Sequence, residues 1–166
     1  CYQTLGDLRL RATGPSAPAS EYRRHLDMDE GVARVEYRRG GVGFVREHFV
    51  SHADNILAVR IRADQPGALA VAVELARQER ARSALLPGND LELSGQLPDG
   101  RGGGGVRFVA RLRARLDGKP VPVRDRRIVA EGGTELVLLL ATSTDFGTGR
   151  LGAVGRTLDA AGRRSW

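Results

Sequence analysis

Alternation with a period of two runs through most of the chain. From Val106 to Asp117, the residues Val106, Phe108, Ala110, Leu112, Ala114 and Leu116 take one set of alternate positions. Arg107, Arg111, Arg113 and Arg115 take the other. A helix would scatter both sets around its circumference, whereas a strand sends successive side chains to opposite faces. The segment is therefore expected to be a long antiparallel strand with one wet face. The same rule sorts Leu57, Val59 and Ile61 from Arg60 and Arg62, and Val35 and Tyr37 from Arg34, Glu36 and Arg38. Leu8 and Leu10 alternate with Asp7, Arg9 and Arg11, and Leu91 and Leu93 with Glu92 and Ser94. Leu69, Val71, Val73 and Leu75 alternate with alanines and Glu74. The run Leu136 to Thr142, apolar up to its last residue, predicts a central strand covered on both faces.

Turn residues separate these runs. Arg39-Gly40-Gly41, Gln65-Pro66-Gly67, Pro87-Gly88-Asn89-Asp90, Pro98-Asp99-Gly100, Asp117-Gly118-Lys119 and Glu131-Gly132-Gly133 all carry the Gly, Pro, Asn or Asp that tight turns need. About ten short strands at hairpin spacing result, the pattern of a sandwich or barrel. No alternation of strand and helix appears, so a parallel α/β sheet is not expected. Ala12 to Ser20 reads as a loop, and Gly102 to Gly105 as a flexible hairpin tip. Arg77 to Leu86 is polar and is expected to be a loop or a short helix. Thr157 to Trp166, with Ala160 and Ala161 inside it, is the other helical candidate, and its final tryptophan reads as a cut through a longer element. The expected fold is mainly β, an antiparallel β-sandwich over residues 1–150, with a short helix at the C-terminal end over residues 151–166.

Composition changes this picture little. With 166 residues and 41% apolar content, one ordinary core is feasible without metal or disulfide. Aromatics are only 5%, so Val, Leu, Ile and Ala must fill it. The net charge of +6 first suggests a nucleic-acid binder. However, Lys119 is the only lysine, and the arginines are spread along the chain with acids between them. An arginine-only bias with abundant Gly, Ala and Val is what a GC-rich genome writes on any surface, so a solvated surface is preferred and no nucleic-acid partner is expected. The longest apolar run, Leu136 to Ala141, is too short for a membrane-spanning helix. Cys1 is the only cysteine, which precludes an internal disulfide. The chain opens at Cys1 with no basic and apolar leader, and this reads as a start trimmed from a longer polypeptide.

No residue type falls into a catalytic pattern. The glycine run lacks the Lys-Ser/Thr that a phosphate loop requires. His48 and His52 are four apart, which pairs metal ligands only on a helix, while Val42 to Ser51 reads as a strand; His25 is isolated from both. No metal and no cofactor are expected. Asp27, Asp29 and Glu30 lack the further oxygen ligands and the central glycine of a calcium loop, so a solvated turn is preferred. Glycoside hydrolysis needs two facing carboxyl groups, and nothing marks any acid here as buried or tuned. Tyr2, Tyr22, Tyr37, Phe146 and Trp166 are the candidates for stacking on sugars, and each is more simply read as core or interdomain contact.

Several segments, in order, resemble the N-terminal β-domain of glycoside hydrolase family 95, the inverting α-L-fucosidases and their relatives. Tyr2-Gln3-Thr4-Leu5-Gly6-Asp7-Leu8 is similar to that family's Tyr-Gln-Pro-Leu-Gly-Asp-Leu, with Thr4 in place of the proline. Tyr22-Arg23-Arg24-His25-Leu26-Asp27-Met28, Arg46-Glu47-His48-Phe49-Val50-Ser51 and Ala141-Thr142-Ser143-Thr144-Asp145-Phe146 resemble its later strands. Asp64-Gln65-Pro66-Gly67 and Gly88-Asn89-Asp90-Leu91 fit the hairpins between them, whereas Arg77 to Leu86 matches poorly.

The resemblance implies a super-sandwich that lacks its first strands, with Thr157 to Trp166 opening a linker helix toward a catalytic (α/α)6 barrel. The catalytic groups would lie in that barrel, so no catalytic residue is assigned here and this chain alone is expected to be inactive. It also implies fucosylated glycans as the whole enzyme's substrates and a secreted or cell-surface location. A buried Asp7 supporting a tight turn after Gly6 is the expected role of the best-matched motif. A sandwich without its first strands leaves an edge open to a second copy, so a homodimer is a further expectation. The alternative is a stand-alone carbohydrate-binding domain or a surface lipoprotein domain bearing lipid on Cys1. Strand-like residues begin at Tyr2, where such a lipoprotein would have a flexible tether.

Overall fold

A computed structural model describes residues 4–14 and 16–164 of the chain. Strands dominate them. They are β1 (Asp7–Ala12), β2 (Ala19–Asp27), β3 (Val32–Arg39), β4 (Val42–Ser51), β5 (Ile56–Ala63), β6 (Leu69–Ala76), β7 (Ala81–Leu86), β8 (Asp90–Pro98), β9 (Gly104–Leu116), β10 (Lys119–Pro120), β11 (Val123–Arg124), β12 (Arg127–Gly133) and β13 (Glu135–Thr144). A 3-10 turn, Leu151–Ala153, leads into one helix, α1 (Val154–Ala161).

The strands form two antiparallel sheets. The smaller runs β1-β6-β12-β11, and the larger β2-β3-β4-β5-β13-β9-β8-β7, with β10 paired to β9. The alternating runs explain the layering. Val59 and Ile61 of β5, Leu91 and Leu93 of β8, Ala110 and Leu112 of β9 and Leu136 and Leu138 of β13 all face the smaller sheet. There they pack on Leu69, Val71, Val73 and Ile128. At about 25 cal/mol per Å² this apolar burial is the main stabilising term.

β13 is the central strand that its apolar run predicts. One face enters the inter-sheet core, and the other lies under α1, where Ala141 joins Ile56, Ala58 and Val109 against Val154, Leu158 and Ala161. The Gly40-Gly41 hairpin turns with both residues at positive φ (58° and 81°), a geometry that other residues adopt only with strain.

Three expectations need correction. Arg77 to Leu86 is neither loop nor helix along its length: Ala81–Leu86 is an edge strand paired with β8, because cross-strand partners override its weak local pattern. The helix begins at Val154, three residues before Thr157, and closes at Ala161. Asp7 is exposed and opens β1 in an ion pair with Arg9; the tight packing belongs to Gly6, where a Cβ would lie 2.8 Å from the Ala76 carbonyl oxygen. Cys1, Tyr2 and Trp166 lie outside the described residues.

Candidate functional site on the two faces of one sheet

The side chains that stand out chemically lie on β3, β4 and β5, and strand register sorts them onto two faces. On the outer face, away from the smaller sheet, Glu47 of β4 sits between Arg34 of β3 and Arg60 of β5, its direct cross-strand neighbours. Arg34 donates to Oε1 through Nε at 3.1 Å and Nη2 at 2.8 Å; Arg60 donates to Oε2 at 2.9 and 2.6 Å. Arg62 adds its charge at 3.5 Å. The Glu47 residue is only 3% exposed. Burial by itself would raise its carboxyl, but the hydrogen bonds from Arg60 and Arg34 and the nearby charges outweigh that and hold it below the usual range.

A second buried acid lies across the sheet. Asp90 of β8, 2% exposed, takes a two-pronged contact from Arg113 of β9, with both N–H···O distances 2.8 Å. The same guanidinium reaches Asp159 of α1 at 2.9 Å and so ties the helix to the sheet. Hydrogen bonding to Asp90 raises the Arg113 pKa still further. The face of β9 expected to be wet is thus partly covered by α1.

These acids are not arranged for glycoside hydrolysis. That reaction needs one carboxyl held protonated and a second within roughly 5 to 10 Å. Glu47 is locked as a carboxylate. It is separated from Asp90 by four strand spacings, about 19 Å.

The inner face of the same strands is different. Arg46 pairs across to Ile61, and Tyr37 to Phe44 and on to Ala63, so these side chains point the same way as the inter-sheet core. The smaller sheet does not cover them fully. A cleft of about 400 Å³ opens between Leu10 and Ala12 of β1 and the residues Tyr37, Arg39, Phe44 and Arg46. Tyr37 and Phe44 stack with centroids 5.2 Å apart, and the Arg39 guanidinium lies 5.8 Å from the Tyr37 centroid. The Nε atoms of Arg39 and Arg46 are both out of water and have no hydrogen-bond partner.

A family model matches residues 1–149, and its description is the N-terminal domain of glycosyl hydrolase family 65. The chain belongs to that family. Alpha-L-fucosidase 2 of Arabidopsis thaliana is 28% identical over 167 residues, a match that covers 87% of this chain. The chain spans a fifth of that relative's length. A β-domain of a larger glycosidase is the common content of both similarities, in keeping with the resemblance to the fucosidase β-domain.

Within this family 65 N-terminal domain the quoted segments land on structural positions. Arg46 to Ser51 lies in β4 and carries the buried Glu47, and Gly88 to Leu91 turns into β8 and delivers Asp90. The histidines do not converge. His25 pairs across to Arg34 on the outer face, His48 lies on the inner face, and His52 lies in the turn after β4. Asp27 closes the β2–β3 turn by accepting from the backbone N–H groups of Asp29 and Glu30, both at 3.0 Å. Tyr22 and Phe146 are exposed, 59% and 77%, while Tyr37 is held by its stack. Sequence reasoning missed Glu47, Asp90 and the two inner arginines. The signal for Arg39 and Arg46 was present: each stands where the alternation of β3 or β4 calls for an apolar residue.

Proposed function

We propose that this chain is the accessory N-terminal β-sandwich of an α-L-fucosidase-like glycoside hydrolase. It supports a catalytic helical barrel of the same polypeptide and leaves the chemistry to it. The observation that carries this reading is the family match over residues 1–149, joined to similarity with a fucosidase five times as long. The arginine-locked acids agree with it, since neither Glu47 nor Asp90 can supply a proton to a leaving sugar. Helix α1, seated on β5, β9 and β13, is the element from which the chain would continue toward the barrel.

Fucosylated glycans are the substrates of the whole enzyme in this reading, and a secreted or cell-surface location suits them. The test compares the 166-residue chain with its full-length parent on an α-L-fucoside. The chain alone is expected to show only the buffer rate, and the parent to release fucose with inversion, followed by NMR of the first-formed anomer. A parent inactive on fucosides but active on another glycoside would replace the substrate and keep the architecture. Hydrolysis by the chain alone would overturn the accessory role.

A further inference from the structure

The inner face of β2, β3 and β4 extends past the smaller sheet and is unfinished. Register places Arg24, Val35 and Arg46 in one cross-strand row with the core residue Ile61, and Leu26, Ala33 and His48 in the next row with Val59. These rows therefore point toward the layer that the smaller sheet occupies further along. Leu26 is nevertheless 58% exposed and Val50 75%, and Leu57 is only partly buried. β1 is the outermost strand of the smaller sheet, so one row of its N–H and C=O groups faces outward beside this gap. An apolar sheet face next to an unpaired strand edge is the geometry that accepts one more strand.

Charge says what kind of strand. The cleft below β1 is lined by Arg39 and Arg46 and by no Asp or Glu among the described residues. Arg24 adds a third guanidinium on the same face. On the opposite face of these strands every comparable arginine near Glu47 has an acid, yet Arg39 and Arg46 each keep a dehydrated Nε without an acceptor. A second copy of this face would bring arginine against arginine. A basic or neutral strand would leave those donors orphaned.

We infer that the free edge of β1 and the inner face of β3 and β4 together bind an acidic, strand-forming polypeptide segment. The segment adds to the smaller sheet beside β1. Its apolar side chains cover Tyr37, Phe44 and Val50, and its carboxylates accept from Arg39 and Arg46. This surface is independent of the glycosidase reading, because it follows from register, exposure and charge alone.

The 166-residue chain is tested with a short synthetic peptide that alternates glutamate with valine. The peptide is expected to bind, to protect from exchange the β1 amides that point away from β6, and to weaken about tenfold with the R39E/R46E variant. Replacing the peptide's glutamates by glutamine leaves the protein untouched, so the same weakening must appear even if the variant folds poorly. Equal binding of a lysine-for-glutamate peptide would overturn the inference, as would binding without protection in β1 or no binding at all. Sedimentation showing a dimer that R39E disperses would assign the face to a second copy instead.

Discussion

The two faces of β3 and β4 carry the same residue type under opposite conditions. On the outer face Arg34 and Arg60 close around Glu47, with four N–H···O contacts between 2.6 and 3.1 Å. On the inner face Arg39 and Arg46 flank an aromatic pair and have no acid in reach among the described residues. The difference is not one of burial, since all four arginines are partly buried. It is one of completeness. The outer cluster is a finished structural unit whose charges cancel within the domain. The inner arginines are the half of a contact that this domain contributes.

Breaking the finished side should have the largest effect. Glu47→Ala leaves Arg34, Arg60 and Arg62 crowded around an empty buried site. The expected loss is about 2–3 kcal/mol, below the usual range for a fully buried pair because the arginines reach solvent. Urea unfolding of variant and parent measures it, and a loss within error would mean that water already screens the cluster. The carboxyl also sets a pH signature. Its folded pKa lies below the ordinary value of 4.5, so the stability it confers is complete above that pH. It fades as pH falls through 4.5 toward the folded value. The stability gap between the parent and Glu47→Gln should therefore narrow below pH 4.5 and stay constant above it.

Asp90→Asn tests the second closed unit. One oxygen of the two-pronged contact to Arg113 becomes an amide, and the guanidinium that also holds Asp159 loses its counter-charge. A loss of about 1–2 kcal/mol is expected, with the edge strand β7–β8 and helix α1 showing it first in amide exchange. Uniform exchange acceleration across both sheets would show that Arg113 is not a local fastener.

The contrast also explains what could be read in advance. The sandwich was legible because strand period and turn residues act locally: Val106 to Leu116 alternates, and β9 forms there. β7 was not, since Ala81 to Leu86 becomes a strand only through its pairing with β8. Glu47 was legible as part of a strand but not as a buried ion. Its burial depends on Arg34 and Arg60, each thirteen residues away, arriving on both sides. The open cleft depends on the smaller sheet ending at β1, a fact of topology that no local window contains.

The unfinished side gives the smallest effect and the sharpest test of the comparison. Arg46→Met keeps an unbranched stem of similar reach against Ile61 and removes a guanidinium whose Nε has lost water without gaining an acceptor. An unsatisfied buried donor costs about 1 kcal/mol or more, and the lost stem packing is minor. The variant should therefore lie within about 0.5 kcal/mol of the parent, on the stabilising side, by urea unfolding. The same change at a finished site would destabilise, because there the guanidinium answers a buried charge. If Arg46→Met costs as much as Glu47→Ala, Arg46 has an acceptor within the domain and the two faces are equally complete. If it is neutral alone but abolishes the gain in stability that an acidic strand peptide confers, the arginine belongs to the contact and not to the fold.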